Sequence, residues 1–376
     1  MIDTDNTKAI AYLPIVDFFA IEGQPSSIEP FGSGHINDTY KIVTNLTNRP
    51  NYMLQRINNN VFKNVDYLMT NLAIVCNHIK EKLETMGEDN IEGKVLTPIS
   101  TLDGQLYYKD VHNNYWRMFI LIEGTKTYDI VETTRQAKEG GKAFGRFQAM
   151  LADLNPHDIQ EVIPNFLNIA SRLRDFKEAV SRNVANRLEK VGAEIEFILA
   201  RENKMNTVLD MASKSQIPLR ITHNDTKFNN VLLNKADEAQ CVIDLDTVMP
   251  GYVAYDFGDA IRTIINAAAE DEEDLSKVTL NIPLFEAYTA GYLESAHHFL
   301  YPMEVKSLVD GVLLLPYMQV VRFLTDYLNG DTYYKVNHAE HNLQRTKAQI
   351  KLVIEIEQYE DELRSIVEKE AHTYSI

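Results

Sequence analysis

Apolar and polar residues alternate differently along the two parts of this chain. Up to about residue 122, apolar positions recur every second residue over short stretches, as in strands that bury one face. Residues 27–31 read as a strand, 32–43 as a Gly turn and a second strand, and 51–57 and 115–122 as further strands, while 95–99 and 105–108 frame a turn at Leu102-Asp103-Gly104. One helix is inserted after the third strand, with Val61, Phe62, Val65, Leu68, Met69, Leu72, Val75, Ile79 and Leu83 at helical spacing over 61–85. Residues 10–22 read as a short amphipathic helix with Pro14 near its start. Beyond Glu123-Gly124 the period becomes helical: 133–154 (with Gly140-Gly141 as a soft spot), 165–187, 190–213, 256–269, 284–299, 302–328 and 339–370. The pattern predicts an α+β chain, bilobal, with a small antiparallel sheet lobe over 1–122 and a large helical lobe over 123–376.

One stretch breaks the helical pattern. Ile221-Thr222-His223-Asn224-Asp225-Thr226-Lys227-Phe228-Asn229-Asn230 is a polar loop. It leads into two apolar runs, at Val231 and Cys241, that read as a hairpin, and the second ends on Asp244-Leu245-Asp246. Phosphoryl transfer needs this set of groups. A carboxylate orients a hydroxyl and takes its proton, an ammonium meets the transferred phosphoryl, and hard oxygen donors hold Mg²⁺. Asp225 is the expected base and Lys227 the expected cation. Asn230 and Asp244 are the expected metal ligands, while Asp246 fits a second shell or second ion as well as it fits a cap on the next turn. His223 reads as a packed loop organiser.

Asp256-Phe257-Gly258 spells a metal motif but lies too far along. In kinases the metal aspartate follows the base by roughly 18–20 residues across one hairpin, an interval that Asp244 satisfies. Asp256 is expected instead in the first turn of a helix, bonded to loop amides, with Asp259 and Arg262 as an ion pair on that helix. Gly32-Ser33-Gly34 lies between two strands, where small residues let backbone amides approach a phosphate. A plain hairpin turn gives the same pattern. His35 follows it and can face substrate or phosphate.

Composition narrows the partners. The 37 basic and 54 acidic residues leave a net charge of −17, which argues against nucleic acid and requires ATP to be held by local groups. Two distant cysteines, Cys76 and Cys241, fit no zinc spacing and agree with a reducing compartment. The first residues lack a signal peptide's basic and apolar regions, and no uninterrupted apolar run reaches the ~20 residues of a membrane span. A cytoplasmic location without membrane contact is the expectation.

With these residues assembled, the chain resembles the aminoglycoside phosphotransferase and choline kinase superfamily, through His223-x-Asp225-x4-Asn230 and Ile243-Asp244. A narrower resemblance is to the bacterial N-acetylhexosamine 1-kinases. It rests on 32–40, 222–230, 243–251, 256–262, 322–333 and 341–352. The resemblance implies a protein kinase-like fold. It also implies ATP- and Mg²⁺-dependent phosphorylation of the anomeric hydroxyl of an amino sugar, GlcNAc or GalNAc. It places the adenine on the backbone of Phe119, Ile120 and Leu121, and the sugar near His35, Asn224, Arg322 and Tyr333. Arg322 and Tyr333 also fit helix packing. Another acceptor within the superfamily (choline, homoserine, methylthioribose, an aminoglycoside) or a catalytically silent fold stays open. One departure stands out: the third strand carries Gln55, beside Arg56, where kinases place a phosphate-clamping Lys, and alternation lets only one of the two face the site.

Overall fold

The computed structural model describes residues 13–32, 36–266 and 268–376. The chain forms two compact units. One holds Met1–Thr125, His157–Pro164 and Gln240–Met249; the other holds Lys126–Pro156, Asn165–Ala239 and Pro250–Ile376. The first unit therefore takes in two later segments in addition to the stretch expected up to residue 122. The Asn71 side chain shows what ties them in: it donates to the Gln160 and Val248 carbonyls at 2.8 and 3.3 Å.

In the first unit an antiparallel sheet follows the order β1 (Pro25–Pro30), β2 (Asp38–Thr44), β3 (Tyr52–Ile57), β6 (Tyr115–Ile120), β4 (Pro98–Ile99), and β5 (Tyr108–Lys109) also pairs with β6. Alternation sorts its faces. Tyr40, Ile42, Tyr52, Leu54, Trp116 and Met118 join Val16 and Phe19 in one buried cluster. The register sets Thr39 opposite Gln55 and Gln55 opposite Arg117, a polar row across three strands. The helix expected over 10–22 shrinks to α1 (Leu13–Val16) among the described residues. Phe19 bridges to Thr101 and the Ala20 amide donates to Ser100 O at 3.0 Å, which draws the chain out of helical geometry. Helix α2 (Val65–Thr85) begins where the Asn64 side chain accepts the Tyr67 amide, four residues later than the apolar pattern alone suggests.

The second unit is helical, with α3 (Thr134–Leu151), α4 (Ile169–Arg182), α5 (Gly192–Met205) and α6 (Thr207–Ser213) in its first half. It continues with α7 (Val253–Ile264), α8 (Ile282–Ala296), α9 (Pro302–Leu328) and α10 (His341–Thr373). A capping box of Thr133 and Gln136 starts α3. The single helix expected over 190–213 breaks at Asn206. There the Asn206 amide side chain and the Thr207 hydroxyl bond back to the Glu202 and Lys204 carbonyls at 2.8 and 2.6 Å. The Gly140-Gly141 pair is no soft spot but a crossing. A Cβ on Gly141 would lie 2.1 Å from the Tyr288 carbonyl of α8, and one on Gly291 would lie 2.0 Å from the Lys138 carbonyl. Helix α9 is long and apolar enough to cross a membrane, yet most of it is buried within the protein, as a core helix is.

Candidate active site

The loop after strand β7 (Arg220–Thr222) is held from beneath by α7. Asp256, in the first turn of that helix, accepts the His223 amide at 2.8 Å and the Asn224 amide at 2.7 Å. Gln148 adds a third donor at 2.8 Å. One turn on, Asp259 accepts the Thr226 amide at 3.0 Å and pairs with Arg262 at 3.0 Å. His223 is fully buried with its ring edge-on to Phe144 and Phe147, and its Nδ1 accepts the Asp225 amide at 3.3 Å. These bonds fix the loop backbone and leave the Asp225 side chain only partly covered, at 21% exposure.

Around Asp225 the expected polar groups come together. Lys227 Nζ lies 3.2 Å from Asp225 Oδ1, and the charge of Asp225 holds this ammonium above its ordinary value despite opposing desolvation. Asn230 donates its NH₂ to the Asp225 carbonyl at 2.8 Å, which turns its own carbonyl oxygen the other way. A fixed carboxylate, a cation in contact with it and a carboxamide oxygen are thus gathered within one turn of chain.

In the first unit a second polar cluster surrounds Arg117, which the sequence reading had not singled out. Its Nε donates to Gln55 at 3.0 Å, and its two terminal nitrogens grip the two oxygens of Asp246 at 2.5 and 2.9 Å. Asn37 donates to the same carboxylate at 2.7 Å. Arg117 and Asp246 are both almost wholly buried. Gln55 also donates to Thr39, whereas Arg56 turns the other way and pairs with exposed Asp38. Asp244, two residues before Asp246, has a left-handed backbone with φ 59° and ψ 57°.

Several of the other expected site residues have partners of their own within the protein. Asp246 is the partner of a buried guanidinium, with both of its oxygens engaged. The Asn224 carboxamide turns inward, accepting from the Thr222 hydroxyl at 3.0 Å and donating to the Thr222 carbonyl at 3.1 Å. The N–H groups of Ile120 and Leu121 donate to the Thr97 and Asn51 carbonyls, and the Phe119 side chain is buried. Gly32 has φ +79°, as a turn glycine does, whereas Ser33, Gly34 and His35 lie outside the described residues. Arg322 and Tyr333 are brought together through Tyr334. The Arg322 guanidinium lies 5.5 Å from the Tyr334 ring centre, and the Tyr333 ring, 70% exposed, packs edge-on to Tyr334 at 4.7 Å. Buried Asp326 shapes this loop by accepting the amides of Thr332, Tyr333 and Tyr334.

Residues 27–298 match the family model described as the phosphotransferase enzyme family, which includes the aminoglycoside phosphotransferases. The chain belongs to that family. Solved structures agree in fold across nearly the whole chain. A spectinomycin phosphotransferase in complex with ADP and spectinomycin matches with a TM-score of 0.51 at 13% identity, over 93% of this chain and 98% of its own. An amicoumacin kinase in complex with AMP-PNP and Ca²⁺ matches at 0.57 and 11% identity, over 91% and 92%. A choline kinase from Cryptosporidium parvum Iowa II matches at 0.54 and 12% identity, over 96% and 99%. The fold is protein kinase-like, and the chain is a small-molecule kinase of the aminoglycoside phosphotransferase and choline kinase superfamily.

A phosphotransferase of this kind works with a nucleotide and a divalent ion, and the donor set fits both. No group of three or more His, Cys, Asp or Glu stands ready to hold a metal among the described residues. Asn230 offers a hard carboxamide oxygen in the second unit, and Asp244 a hard carboxylate in the first.

Proposed function

We propose that this family member transfers the γ-phosphoryl group of ATP to the anomeric hydroxyl of an N-acetylhexosamine, giving the sugar 1-phosphate. One observation carries the catalytic part: the Asp225 carboxylate stands on a backbone fixed by Asp256 and Asp259, with Lys227 in contact. Asp225 orients the acceptor hydroxyl and takes its proton as the new bond forms. Lys227 supplies positive charge where the transferred phosphoryl gathers negative charge. Asn230 and Asp244 would hold Mg²⁺, which when bound neutralises the nucleotide phosphates.

The second unit also supports a sugar over a cationic alcohol. Arg172 and Arg322 are close enough that the charge of Arg322 adds to burial in pushing the Arg172 guanidinium below its ordinary value. Two guanidinium groups beside exposed Tyr333 repel choline or ethanolamine, and they donate well to hydroxyl and acetamide oxygens. A panel of hexosamines, amino alcohols and aminoglycosides, read by ADP release and by phosphorus NMR of the product, tests the assignment. Turnover of GlcNAc or GalNAc with phosphate on C1 is expected; turnover confined to a cationic alcohol overturns it. Asp225→Asn should lower kcat by about 10²–10⁴ while sparing nucleotide binding. Unchanged turnover would remove Asp225 from the role of base.

A further inference from the structure

Kinase folds couple a strand-three Lys to a Glu on the helix of the sheet lobe, and the pair must be in place for metal and phosphate to be aligned. Here both partners are missing together. Strand β3 carries Gln55, and the buried face of α2 is apolar except for Asn71, whose amide is committed to Gln160 and Val248. An ion pair is nevertheless built in the same unit, one strand over. Arg117 of β6 lies directly opposite Gln55 in the ladder and takes both oxygens of Asp246.

The position of Asp246 gives this pair its meaning. Asp244 is held in the left-handed region, which Asp tolerates better than most residues with a Cβ but which still costs free energy that neighbouring contacts must offset. The surroundings here are identifiable. Asp246 is clamped by Arg117 and Asn37, the Val248 amide closes on the Leu245 carbonyl at 3.2 Å, and the Val248 carbonyl is held by Asn71. The turn that follows Asp244 is therefore held along its length, at Asp246 and at Val248. We propose that Arg117 is a positioning residue: by gripping Asp246 it fixes the strained backbone at Asp244 and so presents the metal carboxylate, replacing the missing strand-to-helix pair. Gln55 and Thr39 complete the device by bracing the guanidinium from β3 and β2.

This inference rests on the reading of Asp244 as a metal ligand, and the test separates the two. Mn²⁺ binding to the full-length protein is titrated by electron paramagnetic resonance with ADP present, for wild type, Arg117→Lys, Asp246→Asn and the double variant. Thermal melts establish that each is folded. Arg117→Lys keeps the charge but loses the two-pronged grip. It should weaken Mn²⁺ by about tenfold or more, the range for groups that orient a metal ligand. Asp246→Asn should match it, and the double variant should be no worse than the weaker single, because one contact is lost in each. Folded Arg117→Lys within twofold of wild type overturns the proposal. So does a loss seen with Asp246→Asn alone, which would make Asp246 itself the ligand. Absence of Mn²⁺ binding by wild type, or its survival in Asp244→Ala, would instead reject the reading of the site. If Arg117→Lys does not fold, Asn37→Asp serves instead: it keeps the acceptor for the Asn58 amide, removes the donor onto Asp246 and should still weaken Mn²⁺ measurably; an unchanged affinity there counts against the proposal.

Discussion

A single carboxylate, Asp256, decides whether the loop bearing Asp225 has one conformation. Its Oδ2 accepts from the His223 amide and from Gln148, its Oδ1 accepts from the Asn224 amide, and a short bond from the Tyr292 hydroxyl to Gln148 extends the network. Asp256→Asn keeps the shape but can offer an acceptor on one side only, leaving a backbone N–H facing an NH₂. The loss should be about 2–3 kcal/mol, read as a lower urea midpoint, with kcat lowered although Asp225 is intact. The two thiols behave as burial dictates. The Cys76 thiol is pushed up to about 12 and the Cys241 thiol is raised as well, so neither offers a thiolate near neutrality. A thiol reagent at about pH 8 should find none in the native protein and two after denaturation. The sign for stability follows. Unfolded thiols ionise near 9.0 while the folded Cys76 keeps its proton to about 12. The thiols' contribution to stability is therefore flat below about pH 9 and then falls, by about 1.4 kcal/mol per pH unit for each thiol.

At the scale of elements, periodicity placed most strands and helices, because each has one buried face and the sequence repeats with its geometry. What it missed came from groups far apart in the chain. Nothing local at Arg117 announces a partner 129 residues away, and an Arg in an apolar strand reads equally as an edge residue. The ends of the site loop were legible, since Asp256 and Asp259 stand three apart on one helix. The inward turn of the Asn224 side chain was not, because it depends on the Thr222 hydroxyl and on a left-handed backbone at φ 65°. Gly141 was misread for the same reason: its role is set by α8. Gly141→Ala places a methyl against the Tyr288 carbonyl of that helix, which backbone cannot yield cheaply, and should cost about 1–3 kcal/mol. Gly192→Ala, at the start of α5 with open space around the new Cβ, should be neutral or stabilising by up to about 1 kcal/mol. Comparable urea midpoints for the two variants would show that the crossing relaxes.

For the molecule as a whole, the net charge of −17 makes nucleotide binding a problem of local charge against a repulsive background. ATP or ADP adds further negative charge, and Lys227 is already neutralised in part by Asp225. With the strand-three position held by Gln55 and Arg117 committed to Asp246, the protein supplies few free cations of its own in the groups described here. The divalent ion must then bring most of the compensating charge, so nucleotide affinity should depend on it more steeply than in a kinase with a clamping Lys. A ligand that binds only the folded protein stabilises it by about 2.7 kcal/mol at a hundredfold excess over its Kd. ADP with Mg²⁺ should therefore raise the urea midpoint clearly, while the same ADP concentration with a chelator should leave it near that of the free protein. Raising the salt should narrow the difference by screening the background. An equal shift with and without the ion would mean that side chains alone balance the phosphates, and Asn230 and Asp244 would then lose their proposed task.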